Sequence, residues 1–65
     1  MKVRDVIKII EADGWYLVRT RGSHRQFRHR VKPGHVTVSG KGGVDVPIGT
    51  LKNILKQAGL QNGGS

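Results

Sequence analysis

The most constraining feature of the chain is a change of apolar period at Asp13-Gly14. Before it, Val3, Val6, Ile7 and Ile10 follow the i, i+3, i+4, i+7 series of a helix with one buried stripe. Gly14 stands where a left-handed residue closes a helix. After it, Trp15 to Thr20 is rich in aromatic and branched residues and predicts a first strand. A helical stripe returns at Ile48, Leu51, Ile54, Leu55 and Ala58, opened by Pro47 and closed by Gly59-Leu60. A chain of 65 residues that switches period twice has room for one two-layer core. The expected class is α+β, a three-stranded antiparallel sheet with both helices packed on one face.

The polar end, Gln61-Asn62-Gly63-Gly64-Ser65, reads as a flexible C-terminal tail, leaving a single domain over 1–60. A domain of this size buries only roughly 60% of its unfolded surface, so a partner that covers apolar surface matters to it. No cysteine is present to staple the fold or supply a thiolate ligand, which suits a reducing cytoplasm. No apolar run approaches the ~18 residues of a membrane span, and the chain reads as soluble and cytoplasmic. Twelve Lys and Arg stand against four Asp and Glu, a net charge of +8. Such a balance on a small domain attracts polyanions, nucleic acid first among them.

Arg21-Gly22-Ser23-His24-Arg25-Gln26-Phe27 joins the first two strands. A two-residue loop would place Tyr16 and Val18 on Phe27's face. A three-residue loop, Arg21-Gly22-Ser23, would place Trp15 and Leu17 there and hide more apolar surface, and it is the preferred reading. The second strand is expected from His24 to Val31, followed by a type II turn at Lys32-Pro33-Gly34-His35. That turn sets Val36 against Val31 and Val38 against His29, so Phe27, Val31, Val36 and Val38 share the core face. The opposite face then carries His24, Gln26, Arg28, Arg30, His35, Thr37 and Ser39, with Tyr16, Val18 and Thr20 beside them. Arg25 and His29 fall on Phe27's side and should sit near the sheet edge, their polar ends reaching water.

Three functions fit a wet, basic sheet face. An imidazole, with an ordinary pKa of about 6.5, can take and return a proton near neutral pH, so His24 could activate the 2′-hydroxyl of RNA beside a scissile phosphate. Arg21, Arg25, Arg28 or Lys41 could then stabilise the charge that builds on phosphorus oxygens. Alternatively His24 only donates a hydrogen bond within a binding module, or the face docks an acidic protein. Asp5, Glu11, Asp13 and Asp45 are too scattered for a two-metal site, and His29 and His35 fall on opposite faces, so no metal and no cofactor are expected. Ser39-Gly40-Lys41-Gly42-Gly43 could let amides approach a phosphate, although it lacks a P-loop pattern and reads more simply as a linker.

The order Gly14-Trp15, Arg19, Gly22-Ser23-His24, Phe27, Pro33-Gly34, Val36-Thr37-Val38 and Pro47-x-Gly49-Thr50-Leu51, then Ile54 to Leu60, resembles the HicA toxins of bacterial and archaeal toxin–antitoxin pairs. The resemblance runs from Val3 to Leu60. It implies a double-stranded-RNA-binding-domain-like α-β-β-β-α fold and a small mRNA interferase whose catalytic residue is the histidine of the Gly-Ser-His motif, here His24. It also implies a HicB antitoxin that covers the active site. The residues expected to contact RNA are Arg21, Gly22, Ser23, Arg25, Gln26, Arg28 and Lys41. Members of the family often carry a Pro or His shortly after the third strand, where this chain has Ser39 to Gly43. His24 is therefore the one catalytic residue carried over. A non-catalytic double-stranded-RNA-binding module is the alternative.

Overall fold

A computed structural model describes residues 1–60, so the tail expected over 61–65 lies outside the described residues. The order is helix α1 (Val3–Ala12), strands β1 (Tyr16–Arg21), β2 (His24–Arg28) and β3 (Val36–Ser39), and helix α2 (Ile48–Gln57). The strands form one antiparallel sheet in the order β1-β2-β3. This is the expected α+β, double-stranded-RNA-binding-domain-like architecture.

Both helices end in the same way, for the reason their glycines suggested. Gly14 and Gly59 have φ of 109° and 70°. At the first, the Trp15 N–H donates to Ile10 O and the Gly14 N–H to Glu11 O; at the second, Leu60 donates to Leu55 O and Gly59 to Lys56 O. These are paired six-to-one and five-to-two bonds of a Schellman closure, which only a positive-φ residue permits without strain. Gly14 has a second reason to lack a side chain, since a Cβ there would stand 2.7 Å from His29 Nε2.

The core gathers Val3, Val6 and Ile10 of α1, Trp15, Phe27, Val36 and Val38 from the sheet side, and Val46, Ile54 and Ala58. Phe27 pairs with Val36, and Val38 with Arg25. The core face of β2 and β3 is thus as expected, but the register is not. Val36 does not meet Val31, β2 stops at Arg28, and the connection is a loop over residues 29–35 rather than a tight turn. Gly34 keeps the positive φ a type II turn would need (81°). The displacement spans an even number of residues, and because strand side chains alternate with period two it leaves the faces unchanged. Val31 is the casualty: expected in the core, it is 85% exposed.

The first hairpin combines parts of both loop readings. Arg21 pairs with His24, so the connection is the two residues Gly22-Ser23, with positive φ at Gly22 alone, as a type II′ turn has. The preferred three-residue loop is therefore corrected. Leu17 nevertheless pairs with Phe27, because the register shifts between Leu17 and Arg19. One extra residue, Val18, bulges there and restores the face that the shorter turn would have reversed. Leu17 stays 47% exposed even so, because the helices contact the sheet chiefly at β3 and leave β1 as an uncovered edge. Ile48, at the start of the second stripe, is likewise 69% exposed.

Candidate active site

The bulge decides which arginines meet the histidine. Beyond it, Arg19 pairs with Gln26 and Arg21 with His24, while Gln26 faces Thr37 and His24 faces Ser39 on the other side. Cross-strand partners share a face. Arg19, Arg21, His24, Gln26 and Thr37 accordingly line one shallow cavity of about 190 Å³ on the face away from the helices. Thr20, expected on this face, pairs with Arg25 and lies on the other.

His24 is exposed, and its Nδ1 lies 3.0 Å from Ser39 Oγ. That contact fixes one edge of the ring against β3 and leaves Nε2 as the nitrogen open to a ligand. No carboxylate lines the cavity. Asp13 is engaged by Lys32 and Asp45 stands 3.5 Å from Lys2, while Asp5 and Glu11 belong to α1. The site is therefore cationic, with two guanidinium groups beside the His24 imidazole and hydrogen-bonding side chains from Gln26 and Thr37. Among the described residues no three His, Cys, Asp or Glu side chains converge as a metal site would require.

The other expected contact residues are distributed more widely. Gly22 and Ser23 form the turn beside His24, where the Ser23 carbonyl accepts from the Gly40 N–H at 3.0 Å. Arg28 is exposed on the same face as His24 but four residues along β2, opposite Tyr16. Arg25 is on the opposite face, but on the central strand and not at the sheet edge expected for it, and its guanidinium donates to the Gly40 carbonyl at 3.3 Å instead of reaching only water. Lys41 is exposed in the connection after β3 and does not line the cavity. That connection supports α1 instead, where Gly42 O and Val44 O accept the N–H groups of Arg4 and Val3 in the first turn of the helix. It satisfies donors a helix start leaves orphaned, and so behaves as the linker reading expected.

Arg19 and Ser39 were missed as site residues by sequence reasoning. Gly-Ser at the turn is a signal for a two-residue loop, and choosing it would have placed Arg19 opposite Gln26. Ser39 was expected on His24's face, but its place directly opposite His24 becomes visible only when the β2–β3 register is known.

His29, expected to reach water from the sheet edge, instead lies past the end of β2 with its side chain only 11% exposed, and is wholly committed. Its Nε2–H donates to the Asp13 carbonyl at 2.7 Å, and its Nδ1 accepts from the Val31 and Lys32 N–H groups at 3.0 and 3.1 Å. Its ring meets Trp15 edge-on at 5.2 Å between centroids. The Trp15 indole N–H and the Lys32 ammonium both donate to the Ala58 carbonyl, and Lys32 also binds the Asp13 carboxylate. The hydrogen bond from Lys32 lowers the Asp13 pKa, with burial opposing and the Lys32 charge assisting.

Among known families, the model described as HicA toxin of bacterial toxin–antitoxin systems matches residues 3–60. No curated protein matches the chain.

Proposed function

Since the chain belongs to the HicA toxin family of bacterial toxin–antitoxin systems, we propose that it is the toxin of a type II pair and arrests translation as an mRNA interferase, a metal-independent endoribonuclease with His24 as its catalytic residue. The observation that supports this most is the pairing of His24 with Ser39 on one side and Arg21 on the other, inside a cavity that also holds Arg19. In the tautomer whose Nδ1–H donates to Ser39 Oγ, the Nε2 lone pair takes the proton of a ribose 2′-hydroxyl. The 2′-oxygen attacks the adjacent phosphorus, Arg19 and Arg21 stabilise the charge on the phosphorane oxygens, and the 5′-oxygen leaves with a proton from solvent. The products are a 2′,3′-cyclic phosphate and a 5′-hydroxyl. Gln26, Thr37, Arg28, Lys41 and the Gly22-Ser23 turn hold the strand through phosphate and 2′-hydroxyl contacts.

The antitoxin that the family implies is of HicB type and neutralises the toxin by covering this same basic face, so RNA and antitoxin compete. The protein works in the cytoplasm, where both are found. Incubating it with RNA in the presence of EDTA and identifying the product ends tests the reading. Cyclic phosphate ends formed by the wild type and absent with His24→Ala are expected. Cleavage that stops on chelation would overturn the metal-independent route. Binding with no cleavage product at all would favour the alternative, a non-catalytic double-stranded-RNA-binding module.

A further inference from the structure

The second large concavity lies at the far end of the sheet, about 490 Å³ in volume, and the catalytic proposal makes no use of it. Tyr16 and Arg30 lie in it, the Arg30 guanidinium carbon 6.0 Å from the centre of the Tyr16 ring. Tyr16 is 44% exposed although it is the one tyrosine of the chain, and the Val31 beside it is 85% exposed. Tyr16 pairs with Arg28, so it is on His24's face, at the opposite end of the same two strands. Arg28 lies four positions from His24 along β2, about 13 Å at roughly 3.3 Å per residue.

We infer that Tyr16 and Arg30 form a stacking subsite for an unpaired RNA base a few nucleotides from the bond that is cut. A base sandwiched between two planes needs about 6.8 Å, twice the roughly 3.4 Å stacking rise. The Arg30 guanidinium carbon stands 6.0 Å from the Tyr16 ring centre, and Arg30 is an exposed side chain that can shift to admit a base against the ring. Stacking on tyrosine or arginine planes is how single-stranded RNA is held without a groove to read. Glu11 on the rim disfavours a phosphate there, so the base and not the backbone enters. The floor is fixed, because His29 ties the loop that carries Arg30 and Val31 to the end of α1. Arg28, directly across from Tyr16 on the same face, takes the phosphate on the His24 side of the stacked base.

The inference rests on the sheet face being an RNA-binding face, and the test separates the two. Affinities of the full chain for 2′-O-methyl oligonucleotides, which cannot supply the attacking hydroxyl, are measured by fluorescence anisotropy from dimers to octamers at low and high salt. Wild type should gain affinity once the oligonucleotide spans both ends of the sheet. Tyr16→Ala should forfeit about tenfold or more of that gain, and Tyr16→Phe should keep it. The forfeited part should persist at high salt, because stacking does not depend on counterion release as phosphate contacts do. If the wild type binds no oligonucleotide at any length, the RNA reading fails and takes the subsite with it. If wild type binds and Tyr16→Ala gains as much with length, the subsite alone fails. A Tyr16→Ala protein with unchanged RNA affinity that escapes neutralisation by its antitoxin would assign the groove to the protein partner and overturn the inference.

Discussion

His24 and His29 lie five positions apart in sequence, one at the start of β2 and the other just past its end, and they live in opposite environments. His24 has one ring nitrogen against Ser39 and the other open, on a surface with two arginines for neighbours. His29 has both nitrogens bonded to backbone, one face of its surroundings closed by Trp15, and no capacity left over. A histidine whose hydrogen-bonding positions are all filled by backbone does structural work, while one with a free nitrogen in a cationic hollow can do chemistry. Residue type alone separates neither.

The largest effect expected from this contrast is on His24→Ala. General acid–base groups contribute about a hundredfold to ten-thousandfold, so RNA cleavage should fall by at least about a hundredfold while the melting temperature stays near wild type. Cleavage at the wild-type rate would erase the distinction between the two histidines. His29→Ala should do the reverse. It strands the Val31 and Lys32 N–H groups and the Asp13 carbonyl, costing about 2 to 3 kcal/mol and lowering the melting temperature by roughly 10 to 20 °C. Cleavage per folded molecule should remain within about twofold, and a selective loss of activity without loss of stability would place His29 in the chemistry after all.

Acid probes the same cluster. The lowered pKa of Asp13 means that its carboxylate is held more tightly in the folded chain than at its ordinary value of 3.8. Its contribution is fully present above that ordinary value and is lost as pH falls through the lower, folded value. Urea midpoints followed from about pH 5 to about pH 2 should therefore decline more steeply for the wild type than for Asp13→Asn. Parallel profiles would show that the Lys32–Asp13 link contributes nothing. The smallest effect is expected at Ser39→Ala, where loss of one hydrogen bond to the His24 ring should slow cleavage by about three- to tenfold, with stability preserved because Ser39 is exposed. Unchanged kinetics there would mean that the ring needs no second contact to hold its orientation.

The helices, their glycine closures, the core face of β2 and β3 and the outward direction of His24 were all legible in the sequence. Each follows from local period or from a residue with one strong backbone preference, as at Gly14 and Gly59. What could not be read was register. Pro33-Gly34 favours a tight turn, but the loop before β3 is instead held open by contacts from distant parts of the chain: His29 caps its amides, and Lys32 reaches Asp13 and Ala58. The bulge at Val18 was equally hidden, since no glycine marks it. Those two features, one tertiary and one unmarked, are the reason that Arg19 and Ser39 emerged only with the structure, and that Leu17 and Val31, apolar residues assigned to the core, stand in solvent.

The bulge has a further consequence, for the behaviour of the protein at high concentration. The outer side of β1 is an open edge, a row of backbone donors and acceptors that could pair with another copy of the chain. At Val18 that row is interrupted, leaving only Tyr16-Leu17 and Arg19-Thr20-Arg21 as regular stretches, the latter carrying two like charges. Neither piece is long enough to template a continuous intermolecular ladder, and repulsion between arginines opposes the attempt. The local irregularity that shapes the cavity thus also shortens the regular stretches of an uncovered sheet edge.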